Sequence, residues 1–261
     1  MTQDATFTLT LLGTGAAYPP PERENTSIAL QWPGGIWLID CGASPHRRLR
    51  QAGLDPGRLR GVVVTHGHPD HLYGLPSLVH CLLPAPRSEP LPLLAPPLTL
   101  ARARAILDAF DLGQRDELPL DFVEIPLDAP PSTPIIEVDG LALYTAEVQH
   151  SQEAVGVRAE AGGRVLAYTG DTMPCEGVEA LAGGSHTLVH EATFLTSAEV
   201  APGHSTARDA GLAAQRAGVE TLILVHFLEE TARDIDALAK EAADVFDGRV
   251  IVGEDLAHYA I

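Results

Sequence analysis

The chain has 261 residues, of which 45% are hydrophobic. It can therefore bury one large core, and because no break in composition divides it we predict a single domain over residues 1–261. The sequence has no run of about 18 apolar residues and no basic segment followed by an apolar stretch near its start, so we expect a cytoplasmic protein without membrane contact. Its net charge of −18 disfavours polyanions such as RNA as partners.

Hydrophobic alternation and turn residues predict the elements in chain order. Strands at 7–12, 27–31, 36–39 and 62–65 come first, and six prolines between residues 84 and 97 then predict a loop at the rim. A helix at 99–112 precedes strands at 120–125, 135–138, 141–148, 155–160, 164–168 and 187–190. A helix at 205–217, a strand at 221–225, a helix near 232–246 and a strand at 249–252 close the chain. This order suits an α/β fold, a four-layer αβ/βα sandwich in which helices face two sheets.

One loop carries four potential metal ligands directly after a buried strand. His66, His68, Asp70 and His71 follow the Val-Val-Val-Thr run of residues 62–65. Imidazole and carboxylate are ligands that zinc and similar divalent ions accept, and alternation along an extended loop points His66 and His68 the same way. Asp70 and His71 then face a second position, so one loop can serve two neighbouring ions. The alternative is a polar loop that only satisfies backbone groups, which the density of ligand-type residues disfavours.

Four further polar residues each stand where a predicted strand ends. They are Asp40, His150, Asp171 and His226. Taken singly, each is a weak signal, because a histidine after a strand is more often a hydrogen-bonded polar residue than a metal ligand. For Asp40, an ordinary turn aspartate before glycine is an equally good interpretation.

The loop at residues 66–71 resembles the H-x-H-x-D-H motif of the metallo-β-lactamase fold. A histidine at position 68 fits the hydrolases of that fold, because the diiron oxidoreductases of the same fold carry a glutamate at this position. The resemblance implies the αβ/βα sandwich and two divalent metal ions, zinc or else manganese. It assigns His66, His68 and His150 to the first ion, Asp70, His71 and His226 to the second, and Asp171 to a bridge between them. It also implies that Asp40 orients a metal-binding histidine from behind.

Further segments are similar to motifs of the ribonuclease Z group within that fold. They are His190-Glu191-Ala192-Thr193, Gly203-His204-Ser205-Thr206 and Gly170-Asp171-Thr172. In that group the histidine, held by the glutamate, protonates the oxygen that leaves after phosphodiester cleavage, which implies catalytic roles for His204 and Glu191. Asp70 then orients or deprotonates the attacking water, the third catalytic role. The alternative for His204 is a histidine that only caps the helix for which Thr206 and Asp209 predict a capping box.

The departures from that group concern its RNA substrate. The group inserts a long arm between the equivalents of His150 and Asp171, where this chain has room only for a hairpin. Phe227-Leu228-Glu229-Glu230 replaces a serine-arginine-tyrosine run, and Glu24-Asn25 replaces an arginine-asparagine pair. One candidate basic patch remains, for which solvated surface arginines are at least as good an interpretation. It consists of Arg47, Arg48, Arg50, Arg58 and Arg60.

We therefore predict a metal-dependent hydrolase, foremost a phosphodiesterase in which a metal-activated hydroxide attacks small phosphodiesters such as cyclic nucleotides. The second hypothesis is a tRNA 3′-processing endonuclease, a ribonuclease Z with a reduced arm. Other hydrolases of the fold, lactonases or arylsulfatases, come third, and a non-catalytic binding module, which the intact ligand set disfavours, comes fourth. A homodimer in which one subunit's basic patch serves the other's site is a further hypothesis, because the resembled group commonly dimerises.

Overall fold

Strands of buried residues build two sheets at the centre of the molecule. The computed structural model describes residues 7–85, 87–196, 198 and 200–261. These residues form fourteen strands: β1 Thr8–Gly13, β2 Ser27–Trp32, β3 Gly35–Ile39, β4 Leu59–Val63, β5 Leu91–Ala95, β6 Leu120–Glu124, β7 Ile136–Val138, β8 Leu141–Glu147, β9 Val155–Ala161, β10 Arg164–Tyr168, β11 Thr187–Glu191, β12 Thr221–Val225, β13 Arg249–Val252 and β14 His258–Ala260. The same residues form eight α-helices: α1 Pro45–Gln51, α2 Pro69–Leu72, α3 Leu75–Leu82, α4 Pro97–Asp108, α5 Glu176–Ala182, α6 Ala207–Ala217, α7 Glu229–Ala232 and α8 Ile235–Ala243.

Each sheet has seven strands, in the orders β14-β1-β2-β3-β4-β5-β6 and β13-β12-β11-β10-β9-β8-β7. Strands β3 to β6 run parallel to one another, as do β10 to β13. Side chains alternate across each strand, so Trp37 and Ile39 pack between the sheets whereas Ile36 and Leu38 pack under helices. The predicted α/β class and αβ/βα sandwich are confirmed. The assignment of residues 1–261 to one domain stays a prediction.

The helices cover the outer faces of the two sheets. Helix α6 begins at the predicted capping box, in which the Thr206 hydroxyl accepts from the Asp209 amide at 3.1 Å and the Asp209 carboxylate accepts from the Thr206 amide at 3.0 Å. It ends at Gly218, whose φ of 69° suits glycine. Helix α4 has 12 residues. In the ranges that the structure describes, no helix combines the length and the hydrophobicity needed to cross a membrane.

The predicted proline-rich loop at residues 84–97 is wrong in its second half. Leu91–Ala95 form strand β5 between β4 and β6, and helix α4 begins at Pro97. Proline fits here because the Leu91 amide points toward β6, where it donates to the Pro119 carbonyl at 2.8 Å, so the nitrogen of Pro92 faces β4. Pairing with β4 begins only at Leu93, so no ladder hydrogen bond is lost. Pro86, part of the same predicted loop, lies outside the described residues.

The carboxyl ends of six strands meet along one edge of the sandwich. Strand β8 runs parallel to β10 because both pair antiparallel with β9, and β10, β11 and β12 are parallel. In the other sheet β3 and β4 end at the corresponding edge. The two sheets are joined there where the Val155 amide donates to the Thr65 carbonyl at 3.1 Å. Loops that follow these strands therefore share one side of the molecule, the usual place for a site in such folds.

Candidate metal centre

All seven residues predicted as metal ligands come together at this edge. Five of them are buried and two are half-buried. The buried ones are His66, Asp70, His71, Asp171 and His226, and the half-buried ones are His68 and His150. Four follow strands β4, β8, β10 and β12, and the other three lie at the start of helix α2 or within it. Ligand atoms from these residues fall into two groups, each within 4.8 Å.

The first group consists of three histidines and one carboxylate oxygen of Asp171. His68 Nδ1 lies 3.1 Å from His66 Nε2 and 3.0 Å from His150 Nε2. Asp171 Oδ2 lies 3.7 Å from His66 Nε2. His66 and His68 thus point the same way, as the alternation predicts, and three ring nitrogens converge on one point.

The second group shares Asp171 with the first. Asp171 Oδ1 lies 3.4 Å from His71 Nε2, and Asp171 Oδ2 lies 3.2 Å from His226 Nε2. Asp70 Oδ2 lies 3.6 Å from His71 Nε2 and 3.5 Å from His226 Nε2. The carboxylate of Asp171 therefore stands between two clusters of potential ligands.

Hydrogen bonds behind the histidines turn their free ring nitrogens toward the clusters. His150 Nδ1 lies 2.7 Å from the Gly203 carbonyl, which can only accept, so the proton of the neutral ring is on Nδ1. His71 Nδ1 lies 2.8 Å from Asp40 Oδ2 and donates to that carboxylate in the same way. In the neutral form of both rings Nε2 therefore keeps its lone pair, which is the form that binds a metal ion.

Asp40 is a buried carboxylate that organises this side of the site. Besides His71, it accepts from the Thr65 amide at 2.8 Å, the Thr65 hydroxyl at 3.0 Å and the Tyr168 hydroxyl at 3.2 Å. Since the Thr65 hydroxyl donates to Asp40, it accepts from His66 Nδ1 at 3.1 Å, which again leaves Nε2 of that ring free. The implied contact of Asp40 behind a candidate ligand is thus present, with Tyr168 as an additional partner.

Three buried polar atoms facing the clusters have no hydrogen-bond partner in the described part of the chain. They are His71 Nε2, His226 Nε2 and Asp171 Oδ1. A buried polar atom without a partner costs about 1–3 kcal/mol. Divalent cations would pair with all three atoms, and imidazole with carboxylate is a donor set that zinc and manganese accept. The residues present therefore fit two divalent ions, while the role of each as a ligand stays a prediction.

The electrostatics of the clusters agree with this fit. Burial lowers the pKa of His66 well below its ordinary value, and the neighbouring His71 lowers it further. For His71, burial is outweighed by the Asp171 and Asp40 carboxylates, which raise its pKa well above the ordinary value. Burial of Asp171 is likewise outweighed by His226 and His71, which hold its pKa well below the usual range. The second cluster thus carries surplus negative charge that favours a cation.

The predicted acid pair lies beside the second cluster. Glu191 ends strand β11 and is fully buried, and its Oε1 lies 3.0 Å from His204 Nδ1 and accepts from the Thr172 amide at 2.8 Å. The His204 ring stacks on the His226 ring with centroids 5.6 Å apart. Burial lowers the pKa of His204, but the hydrogen bond and charge of Glu191 outweigh it and raise the pKa to about 9. His204 is therefore protonated at neutral pH with Nε2 directed away from Glu191.

Most arginines of the candidate basic patch form hydrogen bonds or ion pairs with other residues of the chain. Arg48 donates to the Leu12 carbonyl and pairs with Asp255 at 2.7 Å. Arg60 pairs with Asp139 at 2.6 Å, and Arg58 donates to the Pro33 carbonyl. Three of the five arginines thus bind partners within the chain, and Arg47 and Arg50 are exposed, which favours the interpretation as surface arginines over a continuous positive surface.

Two residues at the site escaped the sequence analysis. Tyr168 hydrogen-bonds to Asp40, and the Thr193 hydroxyl lies 2.8 Å from His226 Nδ1. A tyrosine at the buried end of a strand needs a hydrogen-bond partner for its hydroxyl, so the position of Tyr168 in the sequence could have indicated a polar contact there. Thr193 stands inside the segment that carries Glu191, but nothing in the local sequence shows which side chain its hydroxyl meets.

Sequence relatives agree with these features. Residues 37–227 match the model of the beta-lactamase superfamily domain. The ribonuclease Z of Mycolicibacterium paratuberculosis is 32% identical over an alignment that covers 95% of this chain and 96% of that protein. The ribonuclease Z of Methanothermobacter thermautotrophicus is 29% identical, with 91% and 92% covered.

Solved structures show the same fold. The metallo-beta-lactamase fold protein YhfI from Bacillus subtilis superposes with a TM-score of 0.82 at 20% identity, covering 98% of this chain and 99% of its own. The short form of human tRNase Z superposes with a TM-score of 0.80 at 24% identity, covering 97% and 99%. With the family match, the relatives and the two ligand clusters in place, the chain belongs to the ribonuclease Z group of the beta-lactamase superfamily, as a hydrolase with the metallo-β-lactamase fold.

Proposed function

We propose that this protein is a dinuclear metal-dependent phosphodiesterase that acts on small phosphodiesters, cyclic nucleotides among them. The observation that carries the proposal is the arrangement of two ligand clusters around Asp171 next to the paired Glu191 and His204. Cleavage of a phosphodiester releases an alkoxide, which needs a proton. The pair of Glu191 and His204 supplies that proton. Lactonases and arylsulfatases share the fold, but this acid pair favours phosphodiester cleavage over their reactions.

Seven side chains would hold the two ions, zinc or else manganese. His66, His68 and His150 would bind the first, Asp70, His71 and His226 the second, and Asp171 both. Bound there, two divalent cations would lower the pKa of a water molecule, polarise the phosphoryl oxygen and stabilise the developing charge.

The chain's own residues move the protons. Asp70 is 7% exposed, its carboxylate lies 3.5 Å from His226 Nε2 in the second cluster, and it orients or deprotonates the attacking water. His204 holds its proton on Nε2 for the leaving oxygen, since Nδ1 is bound to Glu191. Glu191 keeps the His204 ring in place and cationic. Base and acid thus stand on separate elements, helix α2 and the segment before α6.

Three features support a small substrate over RNA. Between His150 and Asp171 the chain holds only the β9–β10 hairpin, which is part of the sheet and turns at Gly162 and Gly163. Four residues after His226, Glu230 is exposed and adds an acidic side chain where the resembled group carries an arginine-containing run. The net charge is −18, and the candidate arginine patch is mostly paired. Each feature weakens phosphate-backbone binding.

Processing of tRNA 3′ ends is the second candidate, and the sequence relatives favour it. A protein named ribonuclease Z is 32% identical over an alignment of 275 positions, gaps included, which covers 95% of this chain and 96% of that protein. A homodimer would add a second subunit's arginines to the site and remains a hypothesis.

A substrate panel decides between the candidates. The purified protein, loaded with zinc or manganese, is assayed on bis-p-nitrophenyl phosphate, 2′,3′-cyclic and 3′,5′-cyclic nucleotides and precursor tRNA at matched metal and salt. We expect turnover of the small diesters and little cleavage of tRNA. Efficient, position-specific cutting at the tRNA 3′ end with weak activity on small diesters would establish the second candidate instead. Metal analysis of the same preparation should give two ions per chain, and at most one ion at saturating metal would contradict the dinuclear site.

A further inference from the structure

We infer that Thr193 is a positioning residue that ties the acid pair to the second metal site, an inference that rests on the proposed dinuclear function. Thr193 is 2% exposed and lies two residues after Glu191. Its Oγ1 lies 2.8 Å from His226 Nδ1 and within short hydrogen-bond distance of Glu191 Oε2. The Thr193 hydroxyl thus contacts both Glu191 of the acid pair and His226, a candidate metal ligand.

The chemistry of the three groups fixes the direction of both hydrogen bonds. An ionised carboxylate only accepts, so the Thr193 hydroxyl donates its single proton to Glu191 Oε2. The hydroxyl oxygen can then only accept from His226, so the proton of the neutral His226 ring is on Nδ1. The lone pair on Nε2 therefore faces Asp171 and Asp70, at 3.2 and 3.5 Å. Glu191 thus dictates the metal-binding tautomer of His226 through one hydroxyl.

The backbone around Thr193 holds that hydroxyl in place. The Thr231 hydroxyl donates to the Thr193 carbonyl at 2.7 Å, and the Thr193 amide lies 3.3 Å from Glu191 Oε2. His226 has a positive φ of 65°, which side-chain-bearing residues seldom adopt. A hydrogen-bond acceptor behind a metal-binding histidine is typically worth about 10–100-fold in metal affinity.

Thr145, a buried threonine that contacts neither the acid pair nor a candidate ligand through its hydroxyl, provides a control for Thr193. Thr145 is 1% exposed, and its hydroxyl has no hydrogen-bond partner in the described chain. Replacing either threonine with valine keeps the branched shape and removes only the hydroxyl. T145V is therefore the matched control for T193V, and T193S, which keeps the hydroxyl, is the rescue variant.

Metal affinity is the primary measurement. The apo forms of wild type, T193V, T193S and T145V are titrated with Zn²⁺ against a chromophoric chelator. We expect T193V to bind the first ion as wild type does and the second about 10–100-fold more weakly, with T193S and T145V close to wild type. Equal second-ion affinity in T193V and wild type, or an equal loss in T145V, would overturn the inference.

A second measurement works on the unaltered protein, whether or not T193V folds. Long-range ¹H–¹⁵N NMR of the zinc-loaded wild type should show His226 protonated at Nδ1. Protonation at Nε2 would overturn the assigned hydrogen-bond direction. A wild type that binds fewer than two ions would refute the proposed function itself and the inference with it, whereas a two-ion wild type with an unaffected T193V would refute the inference alone.

Discussion

Replacing Glu191 with glutamine should move the alkaline limit of activity to lower pH. Glu191 makes the contact that overcomes burial and raises the pKa of His204 from 6.5 to about 9. A general acid works in its protonated form, so activity falls as the pH rises through the pKa of His204. The glutamine keeps an oxygen near His204 Nδ1 but has no charge, so the pKa falls toward the ordinary value and the alkaline limb follows it downward.

The magnitude follows from the two pKa values. At pH 8 a ring with a pKa of about 9 is about 90% protonated, whereas a ring at 6.5 is about 3% protonated, a difference of about 30-fold. Burial, which lowers the pKa of His204, and the Asp171 and Asp70 carboxylates, which raise it, act in both proteins. Two bound cations lower the His204 pKa in both proteins, so the displacement between the two proteins is the predicted quantity.

The assay is the pH profile of kcat/KM on a cyclic nucleotide, whose leaving alkoxide needs the acid. The same profile on bis-p-nitrophenyl phosphate should move less, because nitrophenolate leaves without a proton. Metal content is measured in parallel, since Glu191 also accepts from Thr193. The control is E153Q, in which the lost carboxylate accepts from the Leu98 amide rather than from His204. An unmoved alkaline limb in a fully metallated E191Q protein, or an equal movement in E153Q, would refute the reasoning.

Three further predictions test the rest of the site. H204A should keep both metals and lose about 10²–10⁴-fold in turnover of cyclic nucleotides but less on nitrophenyl esters; equal losses on both would contradict the acid role. D40N should weaken the second metal about 10–100-fold in chelator competition because His71 loses its charged partner, while asparagine tolerates the φ of 64° found there; unchanged affinity would count against that support. Binding of precursor tRNA should be weak and change less than about tenfold between 50 and 200 mM salt, whereas a drop of about 10³ or more would reveal several phosphate contacts.

Some features of the site were accessible from the sequence because they are local. The spacing of His66, His68, Asp70 and His71 places them on one loop and one helical turn, so their grouping follows from backbone geometry alone. The capping box of helix α6 also lies within four residues. The order of the predicted strands and helices suited two sheets faced by helices, as the resemblance to the metallo-β-lactamase fold also implied.

Strand β5 shows where local rules fail. Proline density predicted a loop at 84–97, yet Leu91–Ala95 pair with both neighbours. Whether a missing amide matters depends on which side of a strand the proline nitrogen faces and on where the partner strand begins. Both are decided by tertiary register and not by composition.

The sequence by itself determined which residues can bind a metal, donate a proton or end a strand, because side-chain chemistry and backbone preference are properties of short segments. Only the tertiary structure decided which of them meet. Asp40 and Tyr168 are joined from strands of different sheets, and Thr193 reaches His226 from the loop after another strand. The hydrogen bonds behind His71, His150 and His226, and with them the free nitrogen of each ring, depend on partners more than 30 residues away in the chain, and only the packing of the two sheets brings those partners within bonding distance.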